Sequence, residues 1–122
     1  MSARVEEIPI RKILVIDDEL LILTTVEKAL TRVGYCVAKA QNMEELAAAL
    51  SEAPFDLMIT DLHMEEETVE NIIERVRQSS PRIRVLMMSG GSYRPNADNF
   101  IEKPFKLEEL REKVRTYLNE SS

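Results

Sequence analysis

Five polar side chains stand where short apolar runs of the sequence stop. They are Asp17, Asp18, Asp61, Ser89 and Lys103. Carboxylate oxygens suit Mg²⁺, which keeps some of its waters and binds phosphate oxygens jointly with the protein. A hydroxyl and an ammonium that face the same point would complete a phosphoryl-binding site. The residue types therefore indicate metal-assisted phosphoryl chemistry, provided that the fold brings the five side chains together.

Strand and helix patterns alternate along the chain and would position these residues. Compact apolar runs rich in Ile and Val predict strands that are buried on both faces. The predicted strands cover residues 12–16, 35–40, 55–60, 83–88 and 99–102. Apolar residues at helical spacing predict helices over 20–33, 43–52, 69–78 and 106–118. This alternation predicts an α/β fold with right-handed crossovers around a parallel sheet.

Single residues mark several element ends. Gly34 predicts the end of the first helix. Asn42 followed by Glu45 resembles a capping box that opens the second helix, and Pro54 stops it. Cys36, the only cysteine, is expected to be a small core residue of the second strand, and it cannot form an internal disulfide.

The strand order decides whether the polar residues meet. In doubly wound sheets, ligands bind beyond the carboxyl ends of the strands, where the strand order reverses. A flavodoxin-like five-stranded sheet of order 2-1-3-4-5 would place the first and third strands side by side. Asp17, Asp18 and Asp61 would then crowd one edge, where like charges raise one another's pKa unless a cation neutralises them. We therefore expect a cation site at this edge.

Four motifs in order resemble the CheY-like receiver domain of two-component response regulators. They are Asp17-Asp18 after the first strand, Asp61 at the end of FDLMITD, Ser89 after RVLMM, and Lys103-Pro104-Phe105. Each motif alone is common, but all four in order, each at a strand end, are specific. The resemblance covers residues 12–118, nearly the whole chain.

The resemblance implies a phosphoacceptor that works in signalling and is not an enzyme in the usual sense, although it assists its own phosphorylation and dephosphorylation. Asp61 would accept a phosphoryl group from a histidine kinase or a phosphotransfer protein. Asp18, Asp61 and the backbone carbonyl of His63 would ligate Mg²⁺, and Asp17 would act largely through water. The phosphorylated protein would then contact a downstream protein target, which the sequence does not identify.

The resemblance also assigns the switch residues. Ser89 and Lys103 would contact the phosphoryl oxygens, and Phe100 occupies the aromatic switch position, where tyrosine is the commoner residue. The Lys103–Pro104 peptide bond would be cis, because receivers use this turn to aim the lysine back over the site.

The chain departs from the family pattern in two regions. Glu65 and Val69 stand where receivers commonly have proline and glycine, so the loop after Asp61 is unusually acidic. Ser89 and Lys103 are only 14 positions apart, which is shorter than usual. We therefore expect the fourth helix to be reduced or absent, with a loop of at most one helical turn and with Tyr93 packed inward.

Composition and net charge limit the number of domains, the partners and the cellular location that we expect. The 122 residues are 44% hydrophobic and 31% charged, which indicates one soluble domain spanning 1–122 with a core over about 12–118. A net charge of −6 argues against nucleic acid and anionic membranes as partners. The sequence shows neither a membrane-spanning run nor a signal peptide, so a cytoplasmic protein is expected.

Two other function classes remain open. The chain could be a pseudo-receiver, an interaction module that is never phosphorylated, although the intact acidic residues and Lys103 argue against this. A Mg²⁺-dependent aspartyl-phosphate hydrolase is less expected, because so short a chain shows no cap domain or substrate pocket. The sequence leaves open whether the domain stands alone or belongs to a larger protein.

Overall fold

The computed structural model describes residues 10–90 and 98–119. Five strands form one parallel sheet of order β2-β1-β3-β4-β5. The strands are β1 (Lys12–Ile16), β2 (Cys36–Ala40), β3 (Leu57–Asp61), β4 (Arg84–Ser89) and β5 (Phe100–Glu102). The helices are α1 (Leu20–Thr31), α2 (Met43–Ala49), α3 (Val69–Arg77) and α4 (Leu107–Tyr117), and a 3₁₀ turn covers Leu50–Glu52. The predicted α/β class and strand order are confirmed.

The sheet separates two hydrophobic clusters. Ile13 and Val15 of β1 pack with residues of α1 and α4 on one face. Leu14 and Ile16 pack with residues of α2 and α3 on the other face. All four side chains are completely buried, because successive residues of a strand point to opposite faces and both faces here are covered. The sheet is therefore held from both sides, and its carboxyl edge is the platform for the site.

The first helix ends two residues earlier than predicted. Gly34 has a φ of 100°, a left-handed conformation that glycine adopts without a steric penalty. Its N–H donates to the Thr31 carbonyl, and the N–H of Tyr35 donates to the Leu30 carbonyl. These bonds close the helix at Thr31 and leave Val33 in the turn, where it is 52% exposed.

The start of α2 agrees with the predicted capping. Asn42 Oδ1 accepts a hydrogen bond from the Glu45 N–H at 2.8 Å. Glu45 Oε1 accepts in turn from the N–H of Gln41, at 2.7 Å, rather than from that of Asn42 itself. The α-helix ends at Ala49, and the 3₁₀ turn carries the chain to Ala53 and a cis Ala53–Pro54 bond that the sequence did not signal.

Cys36 is not a core residue, so that prediction is wrong. It is the first residue of β2, which is an edge strand of the sheet, and its side chain is exposed. Burial in β2 is confined to Ala38 and Ala40 farther along the strand.

The strands β3 and β4 reach further than predicted at their carboxyl ends. Phe55 lies before β3, and its N–H donates to Ser80 Oγ at 2.8 Å instead of joining the sheet. In the other direction β3 includes Asp61 and β4 includes Ser89. Both side chains are therefore held by the sheet ladder itself rather than by a following loop.

The connection between β4 and β5 agrees with a reduced fourth helix. The described part of the chain contains four α-helices, none of which lies between these strands. The predicted loop and the predicted inward packing of Tyr93 concern residues 91–97, which lie outside the described residues. Among the helices described, none is long and apolar enough to cross a membrane.

Candidate functional site

The sheet topology brings the three aspartates together. Ile16 of β1 pairs with Thr60 of β3, so Asp17 and Asp61 follow on neighbouring strands at the same edge. One carboxylate oxygen from each of Asp17, Asp18 and Asp61 lies within 4.8 Å of the others. The expected crowding of carboxylates is therefore present in the structure.

Asp17 is completely buried, and both of its carboxylate oxygens accept hydrogen bonds. The N–H of Glu19 donates to Oδ1 at 2.9 Å, and the Lys103 ammonium donates to Oδ2 at 2.7 Å. Burial raises the pKa of Asp17 above its usual 3.8, although Lys103 and the Glu19 N–H act in the opposite direction. The neighbouring Asp61 charge adds to the increase. Asp17 is thus a buried carboxylate whose negative charge is stabilised by Lys103 and the Glu19 N–H.

Lys103 is the cation of the site. Its Nζ lies 2.7 Å from Asp17 Oδ2, 3.5 Å from Glu19 Oε1 and 3.7 Å from Asp61 Oδ2. Burial alone would lower the pKa of Lys103, but its bond to Asp17 and the surrounding carboxylates outweigh that effect and raise it. Lys103 therefore carries a fixed positive charge next to Asp61.

The backbone around Lys103 aims its side chain toward the aspartates. The Lys103 N–H donates to the Ser89 carbonyl at 2.8 Å, and the Lys103–Pro104 peptide bond is cis in the structure. A Cβ atom at Gly90 would lie 3.5 Å from the Cβ of Lys103, so the lysine stem passes directly over this glycine.

Asp61 is almost fully buried, with 6% of its surface exposed. Its Oδ1 accepts a hydrogen bond from the His63 N–H at 3.1 Å, while its Oδ2 faces Lys103. The N–H of Leu62 donates to the Met88 carbonyl, which continues the β3–β4 ladder one residue beyond Asp61. One oxygen is thus oriented by the backbone and the other by a cation.

The other predicted site residues differ in their burial. Asp18 is exposed, and its carbonyl accepts a hydrogen bond from Gln41 Nε2 at 3.2 Å. The His63 side chain is exposed. Ser89 is completely buried one residue beyond Met88, the partner of Asp61 in the sheet register. Phe100 is half-buried at the start of β5.

The acidic cluster fits a hard divalent cation. All three side chains offer oxygen atoms, and the exposed carboxylate of Asp18 leaves room for water, which Mg²⁺ retains. Asp17, Asp18 and Asp61 could therefore hold a metal ion together.

Two contacts of the site were missed from the sequence. Glu19 is the N-cap residue of α1, but its side chain makes no capping bond and approaches Lys103 instead. Gln41 holds the Asp18 carbonyl from the end of another strand. The acidic run Asp17-Asp18-Glu19 could have indicated the contact of Glu19 with Lys103. No local sequence pattern indicates the contact of Gln41 with Asp18.

A cavity of about 510 Å³ lies away from these residues. It is lined by residues at the amino ends of the strands and at the end of α4, among them Arg11, Phe55, Arg82 and Leu118. No residue of the acidic cluster lines it, so it is separate from the candidate site.

Comparisons with known proteins agree with the geometry. Residues 13–115 match the family described as "Response regulator receiver domain". The chain is 34% identical over 110 residues to the DNA-binding transcriptional regulator NtrC of a Bradyrhizobium strain, covering 84% of the chain and 23% of that protein. It is 31% identical over 116 residues to the response regulator protein PilR of Pseudomonas aeruginosa, covering 88% of the chain and 26% of that protein. The chain thus spans about a quarter of the length of the curated relatives it matches.

Solved structures show the same fold. A response regulator from Thermotoga maritima superposes with a TM-score of 0.76 at 27% identity, covering 91% of this chain and 99% of that one. A CheY-like receiver domain protein from Methanospirillum hungatei superposes with a TM-score of 0.78 at 25% identity, covering 91% of this chain and 95% of that one. With the family matched over residues 13–115, the chain belongs to the response regulator receiver domains, the signalling modules of two-component systems.

Proposed function

We propose that a histidine kinase or a phosphotransfer protein phosphorylates this chain on Asp61, and that the chain then signals by contact with another protein. The observation that carries the proposal is the position of Asp61. Its carboxylate shares one edge of the sheet with two further aspartates, and a protonated lysine lies 3.7 Å from its Oδ2.

Asp61 acts as the nucleophile. One of its carboxylate oxygens forms a bond to phosphorus while the bond from phosphorus to the donor's imidazole nitrogen breaks, and the electron pair of that bond returns to the nitrogen. The His63 N–H orients the carboxylate through Oδ1. The Lys103 ammonium is available to the phosphoryl oxygens, whose negative charge it stabilises.

A magnesium ion belongs to this proposal. Asp18, Asp61 and the backbone carbonyl of His63 would hold it, and Asp17 would act largely through water. When bound, Mg²⁺ supplies positive charge that offsets the carboxylates and the incoming phosphoryl group. The same residues would assist hydrolysis of the acyl phosphate, so the protein influences its own dephosphorylation.

The switch would start from buried residues. Ser89 moves toward the new phosphoryl group, and the Ser89 carbonyl is bonded to the Lys103 N–H, so the two strand ends respond together. Phe100, three residues before Lys103, would rotate with them. Phosphorylation would thus shift the population between two existing conformations, which a downstream protein distinguishes.

Incubation with acetyl phosphate and Mg²⁺, followed by intact-mass measurement, tests the proposal. We expect one added phosphoryl group that is lost again with time. Absence of any adduct would favour a pseudo-receiver that works without phosphorylation. Sustained turnover of a phosphorylated metabolite would favour a hydrolase.

A further inference from the structure

The acidic loop after Asp61 is fastened to the start of α2. Glu66 Oε1 accepts a hydrogen bond from the Met43 N–H at 2.9 Å, across 23 positions of sequence. Met43 is the first residue of α2, and N–H groups in the first turn of a helix have no partner within the helix. Glu66 therefore satisfies a donor that would otherwise need water.

The start of α2 is bonded in turn to the loop that carries Asp18. Gln41 Nε2 donates to the Asp18 carbonyl at 3.2 Å. The Gln41 N–H donates to Glu45 Oε1, and the Glu45 N–H donates to Asn42 Oδ1. Two hydrogen bonds, joined by the backbone from Gln41 to Met43, thus connect Glu66 to the loop that carries Asp18.

The other side of the loop is attached to Asp61. The loop leaves β3 after Asp61, and the His63 N–H donates to Asp61 Oδ1. It ends where Thr68 caps α3 by accepting from the Asn71 N–H at 3.2 Å. Glu66 lies between these two attachments and supplies the bond across to α2.

We infer that Glu66 is a positioning residue, which holds the loop carrying His63 against the loop carrying Asp18 and thereby raises the affinity for a divalent cation. The inference rests on the metal site of the proposed function. The expected ligands come from two separate loops, and a loop that visits other conformations reduces the apparent affinity by the fraction of time spent in the binding conformation. The bond from Glu66 to Met43 keeps that fraction high.

Calorimetric titration of the metal-free chain with Mg²⁺ tests this role in four proteins. The Glu66→Ala variant should bind Mg²⁺ about three- to tenfold more weakly than the wild type, because its loop is no longer held. Glu66→Gln keeps an acceptor oxygen and should restore affinity to within about twofold. Glu65→Ala removes the same charge from the neighbouring exposed position and should also stay within about twofold. Amide exchange at Met43 should accelerate in Glu66→Ala alone.

The outcomes distinguish the role of Glu66 from the existence of the metal site. Equal Mg²⁺ affinity in the wild type and Glu66→Ala overturns the role of Glu66. Equal weakening by Glu65→Ala and Glu66→Ala would assign the effect to loop charge and also overturn it. A wild-type chain that does not bind Mg²⁺ overturns the metal site itself.

Discussion

Lys103 Nζ lies 2.7 Å from Asp17 Oδ2, although 86 positions separate the two residues in the sequence. The aspartate side chain is fully buried and the lysine side chain is 11% exposed. Removing one member of such a pair leaves the other charge in a poorly solvated place. The pair therefore links the stability of the fold to the chemistry of its site.

Replacement of the lysine should destabilise the metal-free protein. Lys103→Met keeps the approximate length of the side chain but leaves the buried Asp17 carboxylate without its cation. We expect a loss of about 3 kcal/mol in the free energy of unfolding, measured with urea and without Mg²⁺. Lys106→Met, at an exposed position, is the matched control and should change the free energy by less than about 0.5 kcal/mol. Equal stability of the two variants would contradict the role of the pair.

Replacement of the nucleophile should separate phosphorylation from stability. Asp61→Asn removes the nucleophilic oxygen with almost no change in volume, so acetyl phosphate should add no phosphoryl group. The melting temperature without Mg²⁺ should be unchanged or higher, because one of three crowded carboxylates has gone. Asp98→Asn, at an exposed aspartate, should still be labelled. Labelling of Asp61→Asn at the same site would show that the nucleophile is another residue.

The contribution of Glu67, just before α3, to the stability of the fold should depend on pH. Hydrogen bonds from the Asn71 side chain and the Thr68 N–H lower the pKa of Glu67 below its usual 4.5. The ionised carboxylate therefore stabilises the fold above that value, and its contribution is lost as the pH falls through the lowered pKa. Asn71→Ala should raise the pKa of Glu67, which carbon NMR of the carboxyl group can follow. An identical titration midpoint in both proteins would contradict the assignment.

Ser80 should contribute more to the free energy of unfolding than its neighbour Ser79. It is 1% exposed, and its hydroxyl oxygen accepts the hydrogen bond of the Phe55 N–H. Ser80→Ala leaves that buried donor unsatisfied and should lower the free energy of unfolding by about 1–3 kcal/mol. Ser79→Ala, next to it on the surface, should cost less than about 0.5 kcal/mol. A small effect at both positions would mean that water replaces the hydroxyl.

The apolar runs of the sequence predicted the strands because both faces of the sheet are buried, whereas the predicted strand order was that of the flavodoxin-like fold. Unbroken apolar runs such as 13–16 favour a sheet that is covered on both faces, and the polar residues that end the strands then meet at one edge. The positions of Asp17, Asp61 and Lys103 at strand ends therefore predicted that their side chains would meet.

The missed features join segments that are distant in the sequence. The bonds from Gln41 to Asp18 and from Glu66 to Met43 connect separate loops, and no periodic pattern records them. Cys36 was predicted to be buried, but it is exposed at the beginning of an edge strand. An apolar pattern does not show which end of an edge strand other elements pack against. Such contacts depend on where loops lie after the sheet has formed.

Four carboxylates at this edge of the sheet accompany the ammonium of Lys103. Asp17, Asp18, Glu19 and Asp61 carry four negative charges when ionised, against one positive charge on the lysine. A phosphoryl donor is itself an anion, so it approaches this edge against a strong local repulsion. The same field concentrates small cations at the edge before any donor arrives. Under the proposed function, phosphorylation by an anionic donor should therefore weaken when free divalent cations are removed from the medium.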